Sequence, residues 1–174
     1  MRTVLLAAAT IVAASAQDLL GIIPWEKLQS KATEVVDVNL DSNMISMARR
    51  FLGGEEQEVK NLLGKLKAIH VKVLKFDKEG EYAMSDVEQL RSKLAAPGWS
   101  PIVDVRSKGK GNTGIYVKTS GDLIEGLVVL AAEPKELTMV NIIGSIDPAD
   151  LEKLSGKMGI PPIAPKKTQK KEDE

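Results

Sequence analysis

The sequence predicts an α+β domain built on a largely antiparallel sheet of about five to six strands, with helices packed mainly on one face. Three observations lead there. Segments 34–41 and 68–76 alternate apolar and polar residues with period two, the pattern of a strand with one wet face. Four strand-like runs then follow one another between residues 101 and 146 through turn-length links, which makes a C-terminal four-strand meander. Helical spacing of apolar residues recurs before and between the first strands.

Residues 1–16 read as an export signal. Arg2 supplies a short positive region, TVLLAAATIVA an apolar run, and Ala14-Ser15-Ala16 the small residues of a cleavage site. Cleavage is expected after Ala16, which leaves a chain starting at Gln17, destined for the periplasm or the cell exterior. The run is too short for a transmembrane anchor, so no stable membrane span is expected in the mature chain.

Residues 18–32 carry Leu19, Leu20, Ile23 and Leu28 at helical spacing, with Pro24 as an interruption. In 34–41, Val36, Val38 and Leu40 share one face, and Asp37, Asn39 and Asp41 the other. Asp41 or Ser42 caps a helix over 43–52 whose apolar side is Met44, Ile45, Ala48, Phe51 and Leu52; Gly53-Gly54 ends it. A second helix starts at Glu55-Glu56 and turns Val59, Leu62, Leu63 and Leu66 inward.

In 68–76, Ile69, Val71 and Val73 point inward. A turn at 77–80 leads to a helix over 85–94 with Ser85 as N-cap, stopped by Pro97-Gly98. The meander strands are expected at 101–107, 114–119, 123–131 and 137–146, with turns at 108–113, 120–122 and 133–135. Asp147-Pro148 opens a last helix over 149–158, since an Asp N-cap followed by Pro at the first helical position is a start signal. The domains are then a signal peptide, 1–16, a single α+β domain, 17–160, and a Pro- and Lys-rich disordered tail, 161–174.

Composition excludes several chemistries. There are 174 residues with no Cys and one His. Disulfides, thiolate metal sites and cysteine nucleophiles are out, as is any multi-histidine centre. Twenty-four basic residues balance twenty-four acidic ones, which argues against a nucleic-acid binder.

The order of elements resembles a bacterial exported family of unknown function, domain-of-unknown-function family 4252. The resembling stretches are VNLDSNMISMARRFL (38–52), LLGKLKAIHVKVLKF (62–76), IYVKTSGDLIEGLVVLAAEP (115–134) and LTMVNIIGSIDPADLEKLSGKMGIP (137–161), with the strand end Ile143–Asp147 as the most distinctive piece. The resemblance implies an α+β envelope protein and a link to envelope signalling through extracytoplasmic sigma-factor systems. Many such proteins carry a lipoprotein cysteine that this chain lacks. It implies no catalytic residues.

Several patterns resemble known sites. Gly109–Gly114 matches G-x-G-x-x-G, but a strand, 115–118, follows where a dinucleotide site needs a helix, so a flexible hairpin turn is expected. Asp77, Glu79, Glu81, Ser85 and Glu88 take calcium-loop spacing, but Tyr82 stands where the loop needs glycine; a solvated acidic turn is expected. His70 shares a face with Lys72, at the solvent side or sheet edge, with no nucleophile motif to serve. Asp147 and Asp150 lie three apart at a helix start, and Asp37 and Asp41 precede the first long helix, where capping and the helix dipole explain them. Met44, Met47, Met84, Met139 and Met158 are expected to fill the core. The Lys166–Lys171 run is offset by Glu172–Glu174.

No reaction follows from these residues, and no catalytic, cofactor or metal residue is assigned; no cofactor is expected. The function expected is that of an exported bacterial envelope protein, a non-enzymatic binding or regulatory module whose partner is another envelope protein, with no nucleic acid. Two alternatives stand beside it: a carboxylate-dependent hydrolase, and a self-associating structural envelope protein.

Overall fold

A computed structural model describes residues 21–53, 57–109 and 111–147. The expected signal sequence, the expected last helix and the expected tail lie outside the described residues. Helix α1 is Trp25–Gln29, strand β1 Glu34–Asp41, α2 Ser42–Phe51, α3 Gln57–Leu63, β2 Leu66–Lys75, α4 Met84–Leu94, β3 Ser100–Ser107, β4 Gly111–Ser120, β5 Leu123–Glu133 and β6 Glu136–Ile146. This is the element order the sequence predicts.

The six strands form one antiparallel sheet in the order β1-β2-β6-β5-β4-β3. The meander runs from β3 to β6 as expected, and β6 then pairs with β2, which joins the two halves. Side chains at paired positions line up across the sheet in transverse rows, because alternation puts every second residue on the same face. One such row is Val38, Val71, Val140, Val129, Ile115 and Val103. The next is Leu40, Ile69, Ile142, Leu127 and Val117. These rows make the first face, an apolar one, against which α2 and α3 pack with Ile45, Val59, Leu62 and Leu63.

The second face is divided. Leu74, Leu137, Met139, Leu130, Val128 and Tyr116 are covered by Trp25 and Leu28 of α1 and by Val87, Leu90 and Leu94 of α4. The described helices therefore divide between the two faces, two and two, and do not gather mainly on one. The cause lies in β4, β5 and β6. Runs such as Ile115-Tyr116-Val117 and Leu127–Leu130 are buried at consecutive positions, so both sides of the central strands need cover.

Local signals place most boundaries. Asp41 accepts the Met44 N–H at 2.8 Å and caps α2 as expected. Ser85 does not cap α4: the helix starts at Met84 after Ala83, with no side-chain cap. The turn expected at 108–113 is shorter, because β3 reaches Ser107 and β4 begins at Gly111, whose φ of 102° suits glycine.

Candidate functional site

Three rows on the second face determine where it is open. The row Asp37, Lys72, Met139, Leu130, Gly114 and Asp104 passes beneath the cover at its β4–β6 side. The row Asn39, His70, Asn141, Val128 and Tyr116 lies at its margin. The last row is Asp41, Ala68, Ile143, Gly126 and Lys118. It has alanine and glycine where its neighbours have large side chains, and it leaves a hollow of about 710 Å³ over this end of the sheet. Such a volume is in the range of small-ligand sites, roughly 300–1,000 Å³.

Trp99 forms one wall. It follows α4 and the Pro97-Gly98 stop, where Gly98 takes a φ of 101°. Its indole comes over Gly126, where a Cβ would stand 3.0 Å from Cη2. Ile143 contributes to the floor and Leu123, 46% exposed, to the rim. Lys67, at the β2 bulge, and Lys118 bring two ammonium groups to the hollow, and neither has an ion-pair partner among the described residues. Lys65, Asp41 and Glu125 also line it. The carboxylate of Asp41 is engaged by the α2 N-terminus, so the charge left to meet a ligand is mainly positive.

A polar chain runs from this hollow toward α1. His70 Nδ1 lies 3.0 Å from Asn39 Oδ1. Asn39 Nδ2 donates to Asp37 Oδ1 at 2.7 Å, which fixes the amide so that its oxygen faces the imidazole. Nδ1 then carries the proton, and Nε2 is left as an acceptor. Lys72 and Gln29 donate to Asp37 Oδ2 at 2.6 and 3.2 Å. Burial and the Lys72 charge push the His70 pKa below its usual value, against the pull of Asp37. Burial raises Asp37, but the hydrogen bond and charge of Lys72, with Gln29 and Asn39, outweigh it and hold the carboxyl below the ordinary range.

The sequence-level candidates are dispersed. Asp37 and Asp41 share a face but are four residues apart, about 13 Å along an extended strand; one is tied to Lys72 and the other to a helix end. Asp147 lies beyond the end of β6, and Asp150 lies outside the described residues. Glu81 pairs with Lys31 at 3.3 Å, and Glu88 lies 3.8 Å from Arg91 on α4. Among the described residues, no three of His, Cys, Asp and Glu are grouped to hold a metal ion. Of the glycine-rich stretch, Gly111, Asn112, Thr113 and Gly114 belong to β4 itself. His70 sits on an interior strand, at the margin of the hollow.

A second feature, on α2, has no signal in the sequence pattern. On α2, Ile45 is buried, but Met44, Met47 and Phe51 are 51%, 59% and 84% exposed. At spacing i, i+3, i+7 they form one line along the helix. Core filling is right for Met139, at 1% exposure, and wrong for Met44, Met47 and Met84. Met158 lies outside the described residues.

The family described as Domain of unknown function (DUF4252) matches residues 29–154. The chain belongs to that family, as its element order suggested, and membership assigns no function. No curated protein and no solved structure matches the chain.

Proposed function

We propose that the chain is an exported bacterial envelope protein that works as a non-enzymatic binding module, and that it docks another envelope protein along α2. The observation that carries this is the line Met44–Met47–Phe51, apolar and exposed on a helix whose other side is held by Ile45 in the core. An apolar groove on a partner takes an amphipathic helix through such i, i+3, i+7 anchors, and methionine adapts to an irregular partner surface. Export rests on the Arg2, apolar and Ala14–Ala16 pattern of residues 1–16. A regulatory role in envelope signalling is the form of binding that family resemblance suggests.

The test has two parts. Fractionation of cells producing the full chain is expected to yield an envelope form beginning at Gln17; an intact N-terminus in the cytoplasm would overturn export. A photocrosslinking residue at Met47 is expected to capture one envelope protein, and the same residue at Glu79, an exposed turn, is not. That partner, purified, should bind the Phe51→Glu chain at least about tenfold more weakly than wild type, a loss of about 1.4 kcal/mol. Equal binding by both chains would sink the reading, and capture of a second copy would favour a self-associating structural protein.

A further inference from the structure

We infer that the hollow over Ala68 and Gly126 is a binding site for a small amphipathic acid, a carboxylate joined to an apolar chain. The site is distinct from the α2 line, so the inference stands or falls apart from the docking reading. Three observations converge on it.

The first is shape. The floor is low because Ala68 and Gly126 occupy a row whose neighbours carry large side chains, and the space above it is about 710 Å³. The second is the wall. Trp99 is only half-buried although it lies against Gly126, so one part of the indole is packed and another is open to the hollow. With Ile143 and Leu123 it offers an apolar lining for a hydrocarbon or ring. The third is charge. Lys67 and Lys118 approach from opposite sides of the floor, on β2 and β4, and no carboxylate among the described residues neutralises either. A ligand head of one negative charge satisfies donors that are otherwise met by water. A cationic head is repelled by them, and a neutral head gains only the weaker hydrogen bond without the opposite charge. Glu125 at the rim repels a large polyanion, which favours a single carboxylate over a nucleotide or an acidic polymer.

The test uses the emission of Trp99. The chain has two tryptophans, and Trp25 is buried in the α1 cover away from this site, so Trp25→Phe leaves Trp99 as the sole reporter. Laurate, below its micelle concentration, is expected to change that emission saturably. Dodecanol, which has the tail without the charge, and acetate, which has the charge without the tail, are each expected to bind at least about tenfold more weakly. Replacing Lys67 and Lys118 together by Gln should reduce laurate affinity to that of dodecanol. Ala68→Phe, which fills the floor, should abolish the response. If Trp25→Phe does not fold, the wild-type chain and competition calorimetry give the same comparison. Equal affinity for laurate and dodecanol, or a laurate response that persists in the Ala68→Phe chain, would overturn the inference.

Discussion

Trp99 lies across the bare backbone of Gly126, so close that a single Cβ on β5 would stand 3.0 Å from the indole. A strand glycine often marks such a close approach. Gly126→Ala restores about 0.5–1 kcal/mol of backbone entropy in the strand and forces the ring to shift by a few tenths of an ångström. Because Trp99 is half-buried and borders open space, the ring can give way. The expected outcome is stability within about 1 kcal/mol of wild type with a red-shifted Trp99 emission. A blue shift, or a loss of several kcal/mol in urea unfolding, would show that the ring is fixed.

On the opposite edge of the same face, Arg91 of α4 is 3% exposed and its Nη2 donates to Asp104 of β3. Among the described residues, Arg91 Nη1 and Nε have no hydrogen-bond acceptor. Removing only the acid leaves the buried guanidinium with Glu88, 3.8 Å from Nε and half exposed, as its remaining acid, whereas removing both groups leaves no buried charge to compensate. Asp104→Ala is therefore expected to destabilise by about 2 kcal/mol, discounted from the 3–5 kcal/mol of a fully buried pair because Asp104 is exposed. Arg91→Met with Asp104→Ala should be more stable than Asp104→Ala alone. Denaturant midpoints of the two variants check the order, and the reverse order would refute it.

His70, Lys72 and Asp37 give opposite charges to one short stretch of sheet. Burial and Lys72 depress the His70 pKa, so the folded chain binds its proton less readily than the unfolded one. The stabilising contribution is present above the ordinary value of 6.5 and is lost as pH falls through the depressed folded value. Asp37, also depressed, contributes above its ordinary 3.8 and loses that contribution as pH falls through its own folded value. In an NMR titration His70 should have its midpoint below 6.5, and Lys72→Met should raise it. Lys72→Met removes the adjacent positive charge and leaves Asp37 to favour the imidazolium. An unchanged midpoint would separate His70 from this pair.

The sequence shows the strands more clearly than it shows what covers them. Val36, Val38 and Leu40 alternate with Asp37, Asn39 and Asp41 because β1 has one wet face, and the period alone reveals it. β5 and β6 are buried on both faces, so alternation vanishes and their apolar runs hide the need for two helical layers. On α2, Ile45 and Met44 are adjacent apolar residues, and composition cannot say which turns inward; tertiary packing chose Ile45. Asp41 was legible as a cap because capping is local, whereas Ser85 offered the right chemistry one residue inside the helix. The hollow depends on Ala68 meeting Ile143 and Gly126 across three strands, a register that no single segment encodes. Its one local hint was Gly126, isolated within an apolar strand.

Tyr82 fastens the far end of the sheet. Its ring packs against Phe76 with centroids 5.9 Å apart, and its hydroxyl donates to the backbone carbonyl of Glu133 at the end of β5. Burial, with the charge of Glu133, pushes its pKa up to about 12 from 10. For an acid whose folded pKa is raised, stability is fully present below the unfolded value and is lost as pH rises toward the folded one. The wild-type chain should therefore lose stability between pH 10 and about 12 through this residue. Tyr82→Phe keeps the ring contact and removes the hydroxyl. It is expected to reduce stability near neutral pH by about 1 kcal/mol, the net worth of one hydrogen bond, and to flatten the alkaline loss. Urea midpoints of both chains from pH 7 to 12 measure the two effects. A variant that falls as steeply as wild type above pH 10 would assign the alkaline loss to other groups.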